Sequence, residues 1–384
     1  MEYMVYAHEV TGVSEDGEVL ARVTFPFVEE QVVDINHTLV DERLRGQGAA
    51  NILLEKAAGK IRQEGWKARL SCSYAQKWFA RHPEHKDLLA NSFVLSCCST
   101  ADLTREHFTE RDISFICFHY QLDGKSYSDD LGQSIPFDQF YQRMTEGAST
   151  ATSQINPEEY AAYFEGFLKE GRDVLHLCLS SGITSTMNSA CIARDMLAEQ
   201  YPERKILVLD SLAASSGYGL LMDKLADLRD QGQSIDQVYQ WAEKHRLDVH
   251  HWFFTSDLTF FIRGGRISKT AGFIGGVLNI CPLLNVDCQG RLIPRQKIRT
   301  KKKVIQAIVD KMEEYAQDGL QYSGKCYISH SACRQDAEAV AALVEARFPH
   351  LDGQVEIYDI GTTIGSHTGP GTVALFFWGK PRND

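Results

Sequence analysis

The chain has 384 residues, which at roughly 150 residues per domain predicts two or three domains. Its 43% hydrophobic and 24% charged residues are those of a globular protein and exclude a disordered, collagenous or coiled-coil chain. Forty Lys and Arg against 51 Asp and Glu leave a net charge of −11, which excludes a general nucleic-acid coat because that role needs a positive field.

Nothing in the sequence predicts export or membrane insertion. No run reaches the ~18 apolar residues that a membrane helix needs, and the first residues lack the basic and apolar regions of a signal peptide. The ten cysteines include no Cys-x-x-Cys pair, so we expect no metal site and interpret them as buried, reduced thiols. These features predict a cytoplasmic protein without a transmembrane segment.

The first ninety residues are predicted to form short strands around one helix. The strand-like runs are 18–27, 31–40 and 68–72. Between the second and third runs lies a glycine turn, followed by apolar residues at helical spacing: Leu53, Leu54, Ala57, Ala58 and Ile61. A last helical turn is expected to end before Pro83.

After about residue 89 strand-like and helical runs alternate, which predicts an α/β fold with a largely parallel sheet. The predicted strands are 92–96, 113–120, 174–179, 206–209, 252–255, 325–329 and 355–358. The clearest predicted helices are 158–168, 187–200, 235–244, 302–315 and 335–348. Such folds bind ligands at the loops that follow the carboxyl ends of strands, so candidate residues are sought there.

The glycine turn is the first candidate site. It reads Arg43-Leu44-Arg45-Gly46-Gln47-Gly48-Ala49-Ala50. Glycine lets the backbone approach a ligand closely, and the start of the following helix offers free N–H groups and a positive dipole end. These features fit a pyrophosphate. A helix start with arginines on its solvated side is the alternative.

The run 33–88 resembles the small, single-domain, yjdJ-type branch of the GNAT N-acetyltransferase superfamily. The matching patches are Ile35-Asn36-His37-Thr38, Leu44-Arg45-Gly46-Gln47-Gly48, Cys72-Ser73-Tyr74 and His82-Pro83-Glu84. The resemblance implies a GNAT-like α+β domain over about 1–90 that binds acetyl-CoA and transfers the acetyl group to an amine. It implies a pyrophosphate on the amides of Arg45, Gly46, Gln47, Gly48, Ala49 and Ala50.

Two residues of this region are weak candidates for catalysis. Cys72 lies in the family's Cys-x-Tyr/Phe patch and could face the thioester. His37 could act as a base, because imidazole titrates near neutral pH. A small buried strand residue and a hydrogen-bonded strand histidine are the respective alternatives, and no acceptor substrate is readable.

Three polar patches mark the loops of the larger region. They are 151–154, 179–186 and 364–371, which contain hydroxyl residues or a histidine flanked by glycines. Hydroxyls in a strand-to-helix loop can donate to an anion beside free helix amides. The sequence has no P-loop lysine motif, so these neutral donors favour a carboxylate over a polyphosphate. Each patch alone is also explained as a helix cap, a turn or a hydrogen-bonded loop histidine.

This set resembles the DegV family of fatty-acid-binding proteins, over about 91–384. The matching motifs are Ser99-Thr100-Ala101-Asp102-Leu103, Thr152-Ser153-Gln154, Ser180-Ser181-Gly182-Ile183-Thr184, Asp210-Ser211, Arg263-Gly264-Gly265-Arg266-Ile267-Ser268, Cys281-Pro282-Leu283-Leu284, 297–300 and Gly365-x-His367-x-Gly369-Pro370-Gly371. The resemblance implies two α/β subdomains that enclose a long-chain fatty acid, with its carboxylate held by hydroxyls and amides. The candidate fatty-acid-binding residues are Thr152, Ser153, Ser181, Thr184, Ser185 and His367.

The acyl tail is expected to supply most of the affinity. About fifteen buried groups of a C16 chain at ~0.8 kcal/mol each give about 12 kcal/mol, against ~1 kcal/mol for one hydrogen bond. The candidate lining residues are Phe260, Phe261, Ile262, Phe273, Ile274, Val277, Leu278 and Ile280, with Gly272, Gly275 and Gly276 making room. Ordinary core packing is the alternative for most of them.

The resemblance also implies a partner. Some family members present their fatty acid to a separate fatty acid kinase, and Arg266 and Arg299 match the docking motif positions. The lipid domain would then be a carrier without catalytic residues. Two departures from the family pattern stand out: Cys98 replaces its acidic residue, and Thr184-Ser185-Thr186 replaces Ser-Gly-Thr, which narrows the site.

These observations leave three readings of the function. The first is a fusion of an acetyl-CoA-binding module, about 1–90, with a module, about 91–384, that binds a fatty acid for downstream activation. The second is an acetyl-CoA-dependent N-acetyltransferase with the lipid domain as its sensor. The third treats the first module as a purely structural arm. None of them involves nucleic acid.

Overall fold

The computed structural model describes residues 1–90, 93–267 and 280–384. Its internal contacts divide the chain into two compact units. The first unit consists of residues 1–93 with 225–238, and the second of residues 94–224 with 239–384. Among the described helices, none is both long and apolar enough to cross a membrane.

The first unit packs two small sheets and two helices around one core. Its strands are β1 (Glu2–Val5), β2 (Glu9–Val13), β3 (Val19–Thr24), β4 (Phe27–Glu29), β5 (Val32–Asp34), β6 (His37–Val40) and β7 (Lys67–Arg69). One sheet has the order β1-β2-β3-β6 and the other β4-β5-β7, in which β5 and β7 run parallel. Helix α1 (Ala49–Gln63) buries the apolar stripe that the sequence predicts. Helix α2 (Ser73–Arg81) ends before Pro83, as predicted.

The second unit contains the longer elements. Its strands are β8 (Phe93–Cys98), β9 (Ile113–Ile116), β10 (His119–Leu122), β11 (Lys125–Ser128), β12 (Thr150–Ser153), β13 (Asp173–Cys178), β14 (Ile206–Asp210), β15 (Val249–Phe254), β16 (Ile280–Val286), β17 (Leu292–Arg299), β18 (Cys326–His330), β19 (Glu356–Asp359) and β20 (Val373–Trp378). Its helices are α3 (Arg105–Glu110), α4 (Phe137–Thr145), α5 (Pro157–Lys169), α6 (Thr186–Ala198), α9 (Thr259–Arg263), α10 (Lys301–Tyr315), α11 (Arg334–Arg347) and α12 (Thr362–Thr368). Two further helices, α7 (Ser215–Asp230) and α8 (Ile235–His245), have residues in both units, as does β8 through Phe93.

A four-stranded sheet with the order β14-β13-β8-β9 lies at the centre of the first part of this unit. Strands β13 and β14 run parallel, and so do β8 and β9. Helix α5 begins at a capping box formed by Asn156 and Glu159, with Pro157 in its first turn. It buries Tyr160, Phe164 and Leu168 against this sheet, so local capping and the apolar stripe agree on where the helix begins and packs.

A six-stranded sheet with the order β17-β16-β15-β20-β18-β19 lies at the centre of the second part. Only the β18–β19 pair is parallel among its described pairs. The prediction of a largely parallel sheet is therefore wrong here. Strands β16 and β17 form a hairpin across a short turn, a connection that only antiparallel neighbours allow.

The run 113–120, which the sequence predicts as one strand, forms two. Strand β9 belongs to the four-stranded sheet, whereas β10 pairs with β11 and β12 in a separate three-stranded sheet. Strand β12 covers Thr150–Ser153, a segment that the sequence places in a loop. This added strand decides which of its side chains point towards the interior.

Candidate functional site

A cavity of about 490 Å³ lies within the second unit, in the range of roughly 300–1,000 Å³ that is usual for small-molecule sites. One wall comes from β15 and β20, which are antiparallel neighbours. Side chains two residues apart on a strand share one face, and here that face consists of His251, Phe253, Ala374 and Phe376, with Thr372 directly before β20. The remaining apolar lining consists of Phe118, Leu179, Ile183, Ala214, Phe261, Val286, Leu292, Ile360 and Ile364. The cavity is therefore suited to an apolar ligand.

A threonine and a histidine from separate elements meet at this cavity. Thr152 Oγ1, on β12, lies 2.7 Å from His367 Nε2, in the last turn of α12. The Thr150 hydroxyl, two residues earlier on the same strand face, donates to the Ser366 carbonyl at 3.3 Å. The structure thus brings together two predicted candidates that are 215 residues apart in the sequence.

The loop between β13 and α6 lines the same cavity with Gly182, Ile183, Thr184 and Ser185. The Ser185 hydroxyl donates to Gln154 Oε1 at 2.8 Å. Helix α6 begins directly after this loop and has no side-chain cap bond at Ser185. Its first amides, which have no acceptor within the helix, are available to an anion.

Gly182 is required by close packing in this loop. A Cβ built on Gly182 would lie 2.4 Å from the Gln289 carbonyl oxygen. The Ser180 hydroxyl secures the same approach, because it donates to the Gly290 carbonyl at 2.8 Å and accepts from the Gly182 amide at 3.1 Å. The loop is thus fixed before any ligand binds.

The charges at the cavity favour an anionic guest. Burial, and then the nearby Arg266, lower the pKa of His367 to about 4, so the ring is neutral at pH 7. Its Nδ1 is buried and has no hydrogen-bond partner among the described residues. Arg266 lines the cavity, and its Nη1 donates to the Gly264 carbonyl at 2.5 Å. A half-buried guanidinium whose described partner is a neutral carbonyl leaves net positive charge for a carboxylate.

Not every candidate lies at the cavity. Ser153 and Ser181 are exposed and do not belong to its lining. The Ser181 amide instead donates to Asp210 Oδ1 at 3.1 Å. Arg299 is exposed at the end of β17 and is also outside the lining. Ser153 follows Thr152 on a strand, where successive side chains point to opposite faces.

The predicted tail-lining residues fall into three groups. Phe261 lines the cavity, whereas Phe260, Ile262 and Ile280 do not belong to its lining. The others lie outside the described residues: Gly272, Phe273, Ile274, Gly275, Gly276, Val277 and Leu278.

Sequence reasoning missed His251 and Gln154 as site residues. His251 is fully buried in the β15 wall, and burial lowers its pKa well below the usual range. Its Nε2 accepts from the Ala214 amide at 3.3 Å, and its Nδ1 lies 3.1 Å from the Val249 carbonyl. No motif marks His251, since only the pairing of β15 with β20 places it at the cavity.

Cys97 and the adjacent Cys98, which replaces the acidic residue of the DegV pattern, are buried beside this site. Burial raises the pKa of Cys98 to about 11 and also holds the pKa of Cys97 well above its usual value. Cys98 Sγ lies 3.3 Å from the Tyr160 hydroxyl, which is itself 3.1 Å from Thr186 Oγ1 at the start of α6. Cys98 thus belongs to a buried polar chain beneath the head-group loop. No group of side chains arranged to hold a metal ion occurs within 1–90, 93–267 and 280–384.

The glycine turn of the first unit precedes α1 in the predicted way. Gly46 and Gly48 both have left-handed backbones, with φ of 76° and 75°, a conformation that favours glycine. The amides of Arg45 and Gln47 donate within the turn, to the Glu42 and Leu44 carbonyls at 3.1 and 3.2 Å. The amides free to receive a pyrophosphate are therefore those at the start of α1, which include Ala49 and Ala50.

The two weak catalytic candidates, Cys72 and His37, lie on neighbouring segments of the first unit. Cys72 is half-buried at the start of α2, and its Sγ is 3.5 Å from Thr38 Oγ1 on β6. His37 is exposed at the beginning of the same strand. The Cys72 amide donates to the Ile35 carbonyl at 3.0 Å. Successive side chains on a strand point to opposite faces, so Thr38 faces Cys72 and His37 points to the other face of β6.

Two family models match the chain. The model described as "Uncharacterised protein, DegV family" matches residues 98–380. The model described as "GCN5-related N-acetyl-transferase" matches residues 9–88. A DegV domain-containing protein of Clostridium perfringens is 35% identical over 290 residues, covering 76% of this chain and 98% of its own. Another from Streptococcus pyogenes is 32% identical, covering 75% of this chain and 99% of its own.

Solved structures share the fold. A fatty-acid-binding DegV family protein from Thermus thermophilus is 28% identical, with a TM-score of 0.67, and covers 75% of this chain and 99% of its own. A DegV lipid-binding protein from Thermotoga maritima is 27% identical, with a TM-score of 0.65, and covers 76% of this chain and 100% of its own. The Streptococcus pneumoniae fatty acid kinase B3 protein, solved with linoleic acid, has a TM-score of 0.64 at 22% identity over 75% of this chain and 99% of its own. The chain therefore belongs to the DegV family and carries a GNAT-like domain ahead of its DegV region.

Proposed function

We propose that this protein binds a long-chain fatty acid in the cavity of its second unit. The observation that carries the proposal is an apolar cavity of about 490 Å³ with Thr152 and His367 paired at its lining. The carboxylate would lie between this pair and Thr184 and Ser185, with the tail against the β15–β20 wall. The fatty-acid-binding relative from Thermus thermophilus, similar in fold and sequence, supports the same ligand class.

The head group would be held mainly by neutral donors and one nearby cation. Thr152, Thr184 and the first amides of α6 can each donate to a carboxylate oxygen. Neutral His367 has one nitrogen toward Thr152 and the other unpartnered in the described structure. Arg266 supplies the positive charge that offsets the transfer of the carboxylate out of water.

Native mass spectrometry of the protein purified without added ligand tests this function. We expect adducts with the masses of C14 to C18 fatty acids, which denaturation releases. A lipid-free preparation should take up palmitate at a ratio of one per chain. A preparation that carries no lipid and takes up none contradicts the proposal.

We further propose that the bound fatty acid is presented to a fatty acid kinase, with Arg266 and Arg299 at the docking surface. Arg266 lies at the cavity and Arg299 is exposed at the end of β17. Arg299→Ala is expected to reduce acyl phosphate formation by a kinase subunit without changing palmitate binding. Arg194→Ala, on α6 and away from the cavity lining, is the matched control. Equal kinase activity with both variants would argue against this docking surface.

A second candidate function, acetyl-CoA-dependent N-acetylation, rests on the first unit. The left-handed glycines before α1 and the family match over 9–88 favour it. In this proposal a module of about 1–90 precedes a lipid module of about 91–384, and the protein works in the cytoplasm. Titration with acetyl-CoA, followed by thioester consumption with candidate amines, separates an active enzyme from a binding module or a structural arm.

A further inference from the structure

A second cavity, of about 600 Å³, lies at the carboxyl ends of β18 and β19. Among the residues that the structure describes, it shares none of its lining with the cavity of about 490 Å³. Helix α4 forms the opposite wall with Phe137, Asp138 and Tyr141. In open α/β sheets ligands bind where parallel strands end, and β18–β19 is the parallel pair of the six-stranded sheet. We call this cavity the α4 groove.

A buried histidine without hydrogen-bond partners lines the α4 groove. His330 and Asp359 form the last pair of the β18–β19 register. His330 is 4% exposed, and neither ring nitrogen has a hydrogen-bond partner among the described residues. Asp359 Oδ1 lies 3.7 Å from Nε2, beyond hydrogen-bond distance. Burial lowers the pKa of His330, so the neutral ring has one donor and one acceptor to satisfy.

The loop after β18 is fixed and ends at an uncapped helix. The Ser331 hydroxyl accepts from the Thr372 amide at 2.9 Å, and the Ser331 amide donates to the Thr372 carbonyl at 2.9 Å. Ala332, which lines the α4 groove, has a left-handed backbone with φ of 52°. Helix α11 then begins with Cys333 as N-cap and no side-chain cap bond. The Asp336 amide donates to the Cys333 carbonyl at 3.0 Å, which leaves the amides of Arg334 and Gln335 for an anionic group at this end of the 14-residue helix.

The side chains around the groove carry charges of both signs. Arg334, in the first turn of α11, pairs with Glu338 at 3.0 Å, but both side chains are more than half exposed, so this pair is weak. Asp138 and Asp359 supply two carboxylates, and no described Lys or Arg lies within ion-pair distance of either. A ligand with a single charge would leave either Arg334 or the two carboxylates without an opposite charge.

We propose that the α4 groove binds a free amino acid. Its carboxylate would lie at the start of α11 with Arg334 and His330, and its ammonium group at Asp138 and Asp359. The rings of Phe137 and Tyr141 would pack against its side chain. The site is independent of the proposed fatty-acid cavity.

Titration calorimetry on the full chain as purified tests the proposal, with each standard amino acid added separately. At least one is expected to bind saturably, and its N-acetyl and amide derivatives, which each lack one charge, are expected to bind at least tenfold more weakly. Absence of saturable binding by every amino acid at millimolar concentration overturns the proposal. So does equal binding of the derivatives.

Two exposed substitutions locate the site. R334A removes the cation and should weaken binding by about tenfold, the effect of one charge-assisted hydrogen bond. D359N should weaken binding of the amino acid but leave binding of its N-acetyl derivative, which keeps the carboxylate and lacks the ammonium group, unchanged. R347A, at the other end of α11, where Arg347 pairs with Asp310, is the control. Binding that survives R334A and D359N at full strength contradicts the assignment.

Discussion

Replacing Thr152 by valine tests which end of the cavity holds the carboxylate. The substitution keeps the branched shape and removes the hydroxyl that lies 2.7 Å from His367 Nε2. A hydrogen bond to a charged group contributes about 1.5–3 kcal/mol, which corresponds to a loss of affinity of roughly ten- to a hundredfold. Shortening the ligand by two methylene groups removes about 1.6 kcal/mol. T152V should therefore bind palmitate no more tightly than the unchanged protein binds myristate.

Displacement of a fluorescent fatty acid by C14, C16 and C18 acids measures both effects together. T152V should shift all three affinities by the same factor, because the increment per methylene depends on the tail alone. Ser153→Ala is the matched control, since Ser153 is exposed and points to the opposite face of β12. If S153A weakens binding as much as T152V does, or if T152V has no effect, the carboxylate lies elsewhere.

Three further predictions concern stability. Burial lowers the pKa of His367 to about 4. The free energy of unfolding therefore falls as the pH drops from 6.5 towards 4, because the unfolded chain binds a proton at this histidine that the folded chain does not. H367Q should reduce this pH dependence, as measured by urea unfolding at several pH values. D223N removes a carboxylate that accepts from three cationic or histidine side chains and should lower the free energy of unfolding by about 3–5 kcal/mol. G46A and G48A should each destabilise the first unit by about 1 kcal/mol and weaken acetyl-CoA binding, whereas G59A, inside α1 with open space around its Cβ position, should stabilise it by about 0.5–1 kcal/mol. Thermal melts that do not distinguish G59A from the turn variants would contradict this account of the turn.

The network around Asp223 explains why one polar residue can matter far from the candidate sites. Its carboxylate is 2% exposed and lies 2.6 Å from both Arg111 Nη1 and Lys325 Nζ. Arg111 directly follows α3, and Lys325 directly precedes β18. Because all three groups are withdrawn from water to some degree, the loss of one leaves the others without compensation.

The sequence alone determined the elements that local chemistry specifies. Apolar spacing predicted the buried stripe of α1 and the helix at 158–168, which the structure shows as α5. Alternating runs predicted the α/β class, and the ordered motifs indicated the DegV and GNAT families. Each of these features depends on residues close together in the chain, whose preferences are readable without knowledge of their neighbours in space.

The tertiary structure alone decided which side chains meet. Thr152 and Ser153 are adjacent and chemically alike, yet only Thr152 lines the cavity, because β12 joins a sheet that the local sequence does not specify. His251 enters the site through the pairing of β15 with β20, whose residues are more than a hundred positions apart. Which strands pair depends on the packing free energy of the whole chain. A local sequence pattern therefore does not predict the pairing.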